Sequence, residues 1–343
     1  MEMNTNGMNN IGNTCWMNSV IQILSNTPLL REYFISLDFF SNLHDKIKSE
    51  SENSLKKYKE KMTNTISYQF YRLLLELYKN RGNIFPRDFK NVISLKNEIY
   101  RGYGQQDTLE FFTWLIDNLQ DENEIEYKLL NIIPSEDELL SIEEGLFWKK
   151  FNNKSSPIKR LFYGTFISTL RCKSCNNKSI KFEPFSSLNL EIPESDNYLN
   201  LYDCLDNYVK EEDIEDKIYC EACDKKRKMK KIMKIFRLPE ILVIGLKRFT
   251  KNDYGNVIDK NDEDIEYPII GLRMEKYCES KDKKEYRLYG INIHQGKLNY
   301  GHYYSYCKNN FNGYWNEYND SKVKPLVDTQ DSDALILFYI NTI

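Results

Sequence analysis

Two pairs of cysteines constrain this chain more than any other feature. The first is Cys172-Lys173-Ser174-Cys175 and the second Cys220-Glu221-Ala222-Cys223, with 44 residues (176–219) between them. A C-x-x-C knuckle points two thiolates at one point, and two such knuckles complete a tetrahedral four-cysteine zinc site. The intervening segment is longer than in a compact zinc finger, so the knuckles are expected to tip two long hairpins. Four thiolates close the coordination sphere and leave no position for a reactive water, so a zinc ion here is structural. Cys204, Cys278 and Cys307 have no such partners and read as packing residues.

The other cysteines matter because of the compartment they imply. Eight cysteines occur in a chain whose N-terminus lacks an apolar signal core. They read as reduced thiols and metal ligands rather than a disulfide framework, which places the chain in the cytosol or nucleus. No apolar run is long enough to span a bilayer, Ala334–Ile340 included. Net charge is −3, from 48 basic and 51 acidic residues, which gives no electrostatic case for nucleic acid or an anionic membrane. With 343 residues, 41% of them hydrophobic, the chain can bury a sizeable core. Its 25 Tyr and 18 Phe suit broad β structure and polypeptide-binding grooves.

The pattern changes along the chain. Ile66, Phe70, Leu73, Leu74 and Leu77 recur at helical spacing and predict a core-facing helix over about 65–79. The charged residues 41–64 read as an exposed helix or loop. Gln105-Gln106-Asp107-Thr108-Leu109-Glu110 opens a further helix, with Asp107 and Glu110 at capping-box spacing. An acidic stretch near 121–145 closes this helix-rich part. From Phe162 onward short segments alternate apolar and polar residues, as half-buried strands do. Ile241–Phe249 and Ala334–Ile340 read as strong strands. A strand over 302–306 would put His302, Tyr304 and Tyr306 on one face. The charge runs Glu211–Asp216 and Lys225–Lys231 read as solvated faces.

Near the N-terminus, Gly7-Met8-Asn9-Asn10-Ile11-Gly12-Asn13-Thr14-Cys15 delivers a thiol to the start of an apolar helical segment. The positive end of a helix dipole favours the thiolate, and the unpaired N–H groups there can hold an oxyanion. A cysteine nucleophile needs a base and a group to orient that base. Of three histidines, His44 lies in a charged stretch. His294 and His302 flank the turn Gln295–Gly301, and Gly301 would let a substrate backbone approach closely. Downstream, either Asn319 or Asp320 could accept the imidazole Nδ1–H. Spacing alone chooses neither between the histidines nor between Asn319 and Asp320.

These blocks together resemble the catalytic domain of the ubiquitin-specific proteases, a family of cysteine deubiquitinases. The Cys15 run resembles that family's cysteine box, and Gly104–Phe111 its glutamine-glutamine-aspartate box. The C-x-x-C pairs resemble its zinc-bearing fingers, and Leu238–Phe249 its central palm strand. Gly301–Tyr306 and Trp315–Ser321 resemble its histidine box. The resemblance implies Cys15 as nucleophile, His302 as general base and Asn319 as the third triad member, with Asp320 assisting. Asn10 falls at the oxyanion-hole position and His294 at a second, non-catalytic histidine. Gln106, Asp107, Gly301 and Tyr303 are implied to lie along the substrate cleft, though capping and packing would equally explain Gln106 and Asp107. Cys172, Cys175, Cys220 and Cys223 are the implied zinc ligands. Trp16 stands where Tyr or Phe is commoner, Thr108 where Ala is common, and Gly245 where many members have His.

The implied fold is α+β, a papain-like hand: a helical thumb (1–150), zinc-ribbon β fingers (160–236) and a β palm (237–343). The boxes run from residue 7 to about 340, so the chain is expected to be almost all catalytic domain. The implied reaction is hydrolysis at the C-terminal glycine of ubiquitin. Ubiquitin and ubiquitinated proteins are the implied partners, with a possible activating or targeting protein, and a monomer is expected. Alternative readings are a protease for another ubiquitin-like modifier, an inactive ubiquitin-binding module, and a plain zinc-ribbon interaction protein. The last leaves the cysteine and histidine boxes without a role.

Overall fold

The computed structural model describes residues 6–51, 54–79, 82–126, 139–151, 154–195, 197–251, 257–279, 284–297, 300–310 and 312–342. Of the acidic stretch near 121–145, residues 127–138 lie outside the described residues, as do 298 and 299 of the turn between the histidines.

Helices dominate the first 160 residues. The predicted core-facing helix is Ile66–Leu77, with Ile66, Phe70, Leu73, Leu74 and Leu77 buried as their spacing requires. The charged segment 41–64 contributes to two helices, Leu37–Ser49 and Leu55–Thr63. Each is capped by a serine hydroxyl, of Ser36 and Ser54, that accepts from the backbone N–H three residues on. The helix Cys15–Ser25 is buried along its whole length. Its polar residues peg it to neighbours: Asn292 Nδ2 donates to Ser19 Oγ at 2.8 Å, and Gln22 Nε2 donates to the Asn6 carbonyl at 3.0 Å. Buried polar groups with partners cost little and fix one arrangement.

The second half builds a large sheet. From one edge its strands run Lys322–Leu326, Trp315–Asn319, His302–Lys308, Glu285–Gln295, Ala334–Asn341, Ile241–Lys247 and Leu188–Glu191, with Ile270–Arg273 also on Glu285–Gln295. The pairings are antiparallel except the last, where Ile244 registers with Leu188 in parallel. The strand Ile241–Lys247 shows why the sheet is central. Ile241 and Val243 enter the core shared with the helices, while Leu242, Ile244 and Leu246 enter a second core on the opposite face. Both faces are covered, hence the near-continuous apolar run. Each of these side chains contributes about 1.5–3 kcal/mol on burial.

Two expectations change. The strand predicted over Ile241–Phe249 ends at Lys247. Arg248 is buried, and its Nε donates to the Ala334 carbonyl at 2.7 Å and its Nη1 to the carbonyls of Asn261 and Glu263 at 3.0 and 2.8 Å. A buried guanidinium must find acceptors, and reaching them turns the backbone out of the ladder. Nor is 160–236 one piece. Gly164–Cys172, Lys178–Phe185, Met229–Arg237 and Glu212–Asp213 form a separate four-stranded sheet. Leu188–Glu191 leaves it for the edge of the large sheet, where Leu188 and Leu190 are buried.

Candidate active site and metal centre

The four-stranded sheet carries the first cysteine pair, and a separate two-stranded hairpin carries the second. Cys172 ends Gly164–Cys172 and registers with Met229, and Cys220 ends the short strand Ile218–Cys220, which pairs with Lys225–Arg227. All four Sγ atoms lie within 4.8 Å of one another, and those of Cys175 and Cys220 are 3.6 Å apart. Four sulfurs on a zinc at the usual Zn–S length would stand about 3.8 Å apart. The donor set therefore fits a single tetrahedral ion. The Ser174 amide donates to Cys172 Sγ at 3.4 Å, the kind of outer contact that orients a thiolate ligand. Cys204 and Cys307 are buried among apolar residues, in keeping with the packing role read from sequence, and Cys278 is half-buried.

Cys15 is the first residue of its helix, at the position the turn of glycines and asparagines predicts. The turn is fastened from within. Asn10 Oδ1 accepts from the backbone N–H groups of Gly12 and Thr14 at 3.2 and 3.0 Å. Gly12 has φ +116 and Asn13 φ +50, conformations in which glycine and asparagine are the least strained residues. A Cβ on Gly12 would also lie 2.2 Å from the Tyr103 ring. The Asn13 amide donates to the Tyr103 carbonyl at 2.8 Å. The segment 100–105 thus straps the cysteine turn. Its own anchor is Lys90, whose buried ammonium donates to the carbonyls of Tyr100 and, at 3.3 Å, Gly102. Trp16 is buried against Tyr100 and Phe111, with ring centroids 5.3 and 4.8 Å away.

The strand His302–Lys308 brings the second component. His302, Tyr304 and Tyr306 share a face, as the period of two requires, with centroid separations of 6.4 and 5.7 Å. His302 Nε2–H donates to Asn319 Oδ1 at 2.8 Å. The nitrogen that meets the orienting group is thus Nε2, not the Nδ1 expected from sequence. Nδ1 is left for Cys15. A hydrogen bond to Cys15 raises the His302 pKa to about 9, with Asn319, the Cys15 charge and Asp320 adding to the rise against the opposing effect of desolvation. The sulfur of Cys15 is thus the largest influence on the charge of the ring.

Asp320 occupies the turn of the hairpin that pairs Asn319 with Lys322, at φ +49. Its carboxylate is 3.9 Å from His302 Nε2. It accepts from Asn18 Nδ2 at 2.8 Å and from Asn10 Nδ2 at 3.0 Å, while its carbonyl accepts from the Met8 amide at 2.8 Å. Asp320 therefore ties the histidine hairpin to the cysteine turn. One N–H of Asn10 is engaged by this contact, so only its second amide hydrogen is available to an oxyanion.

The residues expected along the cleft divide. Asp107 caps the helix Thr108–Glu122, accepting from Leu109 and Glu110 N–H at 2.8 and 3.1 Å. Gln106 Nε2 donates to the Ile99 carbonyl at 2.9 Å. Tyr303 points to the opposite face from His302, is buried, and packs against His294 with ring centroids 4.4 Å apart and the rings tilted by 52°. Gly301 is also required for a different reason than expected. A Cβ there would lie 2.1 Å from His294 Nε2, so the close neighbour is this chain's own imidazole. His294 is fully buried, and burial lowers its pKa to about 4. It is 5.2 Å from the Phe249 ring and plays no part in the cluster around Cys15. His44 shares a hydrogen bond of 2.7 Å with Tyr58, far along the chain from this cluster.

Sequence reasoning does not single out Gln105. The Cys15 thiol lies 3.7 Å from Gln105 Oε1, and Gln105 Nε2 donates to the Gly301 carbonyl at 3.0 Å. Its position just before the capping box is visible in sequence. Its reach back to residue 15 is not, because the strap that aims it is fixed by Lys90 and Tyr103.

The whole arrangement has known relatives. The family described as ubiquitin carboxyl-terminal hydrolase matches residues 6–339. Human ubiquitin carboxyl-terminal hydrolase 2 is 32% identical, over 97% of this chain and 54% of that protein. The Drosophila melanogaster Usp2 enzyme is 33% identical, over 98% of this chain and 35% of its own. This chain thus spans about half the length, or less, of the curated relatives it matches. Among solved structures, the SAGA DUB module bound to monoubiquitin superposes with a TM-score of 0.72 at 27% identity, covering all of this chain and 71% of that one. The same module bound to ubiquitin aldehyde gives the same TM-score, identity and coverage.

Proposed function

Because the chain belongs to the ubiquitin carboxyl-terminal hydrolase family, we propose that it is a thiol-dependent deubiquitinase, cleaving isopeptide or peptide bonds at the C-terminal glycine of ubiquitin. The observation that carries this reading is the cluster of Cys15, His302 and Asn319 at the meeting of a buried helix and the large sheet. Relatives and solved neighbours named for ubiquitin hydrolysis or bound to ubiquitin support the choice of substrate.

In this reading Cys15 Sγ attacks the glycine carbonyl as the thiolate. The oxyanion is met by the second amide hydrogen of Asn10 and by backbone N–H groups at the start of the helix, which have no intrahelical acceptor. His302 Nδ1 gives its proton to the leaving amine and then takes one from the water that hydrolyses the thioester. Asn319 holds the ring through Nε2. An amide orients the ring but stabilises the imidazolium less than a carboxylate would. The Asp320 carboxylate at 3.9 Å supplies the negative charge that Asn319 lacks.

The helical part, the four-stranded sheet and the large sheet are read as thumb, fingers and palm. The four-cysteine cluster is read as a structural zinc site of the fingers; all four donors would be used, so the ion takes no part in the reaction. A monomer in the cytosol or nucleus is the accompanying expectation. An activating partner is also proposed, since the solved neighbours place their protease in a module with Sgf11, Sus1 and Sgf73. A panel of ubiquitin and ubiquitin-like modifiers, each carrying a C-terminal fluorophore, tests the substrate. Release from ubiquitin at least tenfold faster than from every other modifier is expected. Faster release from another modifier would replace ubiquitin as the substrate.

A further inference from the structure

The sulfur of Cys15 has two partners, and they favour opposite states. His302, as imidazolium, pairs with a thiolate. Gln105 Oε1, at 3.7 Å, can only accept, so it pairs with the protonated thiol. The orientation of the amide is fixed independently. Its NH2 faces the Gly301 carbonyl at 3.0 Å, an acceptor only, which leaves Oε1 toward the sulfur. This same bond joins the strap of residues 100–105 to Gly301, the residue before His302, directly beside Cys15. Cys15 is 1% exposed, so the nucleophile is covered while the bridge stands.

We propose that Gln105 is a latch across the cleft, which holds Cys15 as the protonated thiol until an entering polypeptide tail takes over its hydrogen bonds. A backbone N–H of an extended tail replaces Gln105 Nε2 at the Gly301 carbonyl. With Oε1 withdrawn, the Sγ proton is given up to water, and the thiolate pairs with the His302 imidazolium. The nucleophile is then generated only when a substrate is in place, which limits its oxidation and alkylation in the empty enzyme. Gln105 acts here as a positioning residue for the sulfur and for the loop that carries His302. The identity of the tail rests on the deubiquitinase reading; the latch does not.

The test is the rate of Cys15 alkylation by iodoacetamide at pH 7, read by mass spectrometry of the Cys15 peptide in the full chain. Wild type is compared with Gln105→Ala and Gln105→Met, with Cys15→Ser to assign the label. Methionine keeps the length and volume of glutamine but makes no comparable hydrogen bond, so it separates the latch from simple cover. Alkylation about threefold or more faster in both variants is expected, the effect of losing one modest hydrogen bond to the thiol. A Gln105→Met rate equal to or below wild type would overturn the proposal, whatever Gln105→Ala does. The reagent needs no ubiquitin, so a wrong assignment of substrate leaves this result unaffected.

Discussion

His302 Nε2 donates to Asn319 Oδ1 at 2.8 Å, and this bond settles which imidazole nitrogen faces the thiol. With Nε2 engaged, only Nδ1 can exchange a proton with Cys15. Asn319→Ala frees the ring to rotate and should lower kcat roughly tenfold or more, with KM little changed, because the loss is of orientation. Asn319→Asp keeps an acceptor at the same place and should retain most activity. Steady-state kinetics on a ubiquitin conjugate checks both. A loss in Asn319→Asp as large as in Asn319→Ala would show that the ring is held some other way.

The raised pKa of His302 has Cys15 as its largest cause. Cys15→Ala should bring it down from about 9 toward or below the ordinary value of roughly 6.5, since desolvation then faces weaker opposition. A titration of the His302 ring by NMR in both proteins reads this directly. An unchanged value would mean that Asn319 and Asp320, rather than the sulfur, hold the charge. The sign for stability follows. A histidine raised in the folded state contributes stability that is full below about pH 6.5 and is lost as pH climbs through about 9.

His294 has the opposite sign. It is buried and its pKa is lowered to about 4, so the unfolded chain binds a proton that the folded one refuses. Stability should be full above about pH 6.5 and fall as pH drops toward about 4, by roughly 3–4 kcal/mol at most. Denaturant unfolding at about pH 7 and about pH 4.5 should show a smaller difference in His294→Gln than in wild type. Equal differences would place the acid sensitivity elsewhere.

Gly301→Ala drives a Cβ to within 2.1 Å of His294 Nε2 and 2.8 Å of the Lys297 carbonyl. Neither neighbour can yield easily, because His294 is fully buried and the other atom is backbone. A cost of about 1–3 kcal/mol is expected. Activity should fall further than stability, since His302 is the next residue. Thermal unfolding and turnover, measured together, check this. Normal turnover at normal stability would show that the loop adjusts freely.

Metal removal tests the cysteine cluster. Elemental analysis should find one zinc per chain in wild type and little in Cys172→Ser. The variant should lose protection in amide exchange along Gly164–Cys172 and Met229–Arg237, the strands that end at the knuckles, while Ile241–Lys247 keeps its own. Equal loss in both sheets would mean that the metal supports the whole fold.

Much of this is legible in the sequence for physical reasons. C-x-x-C spacing forces thiolates together, and Ile66, Phe70 and Leu77 can share a core only on a helix. Cys15, His302 and Asn319 stand out by residue type and place, and family resemblance supplies their roles. What stays hidden depends on contacts between segments far apart in the chain. Gln105 meets Cys15 because Lys90 holds the strap between them. Asp320 reads as an assisting carboxylate in sequence, yet most of its bonds fasten the cysteine turn through Asn10 and Asn18. Tyr303 and Gly301 face His294 because of a strand register that alternation can narrow but not fix.

The most direct measurement is hydrolysis of a ubiquitin C-terminal fluorogenic amide by wild type, Cys15→Ala and His302→Ala. Turnover by wild type, absent in Cys15→Ala and reduced roughly a hundredfold or more in His302→Ala, is the predicted result. Turnover that survives in Cys15→Ala, or a folded wild type that binds ubiquitin without cleaving it, would contradict the account.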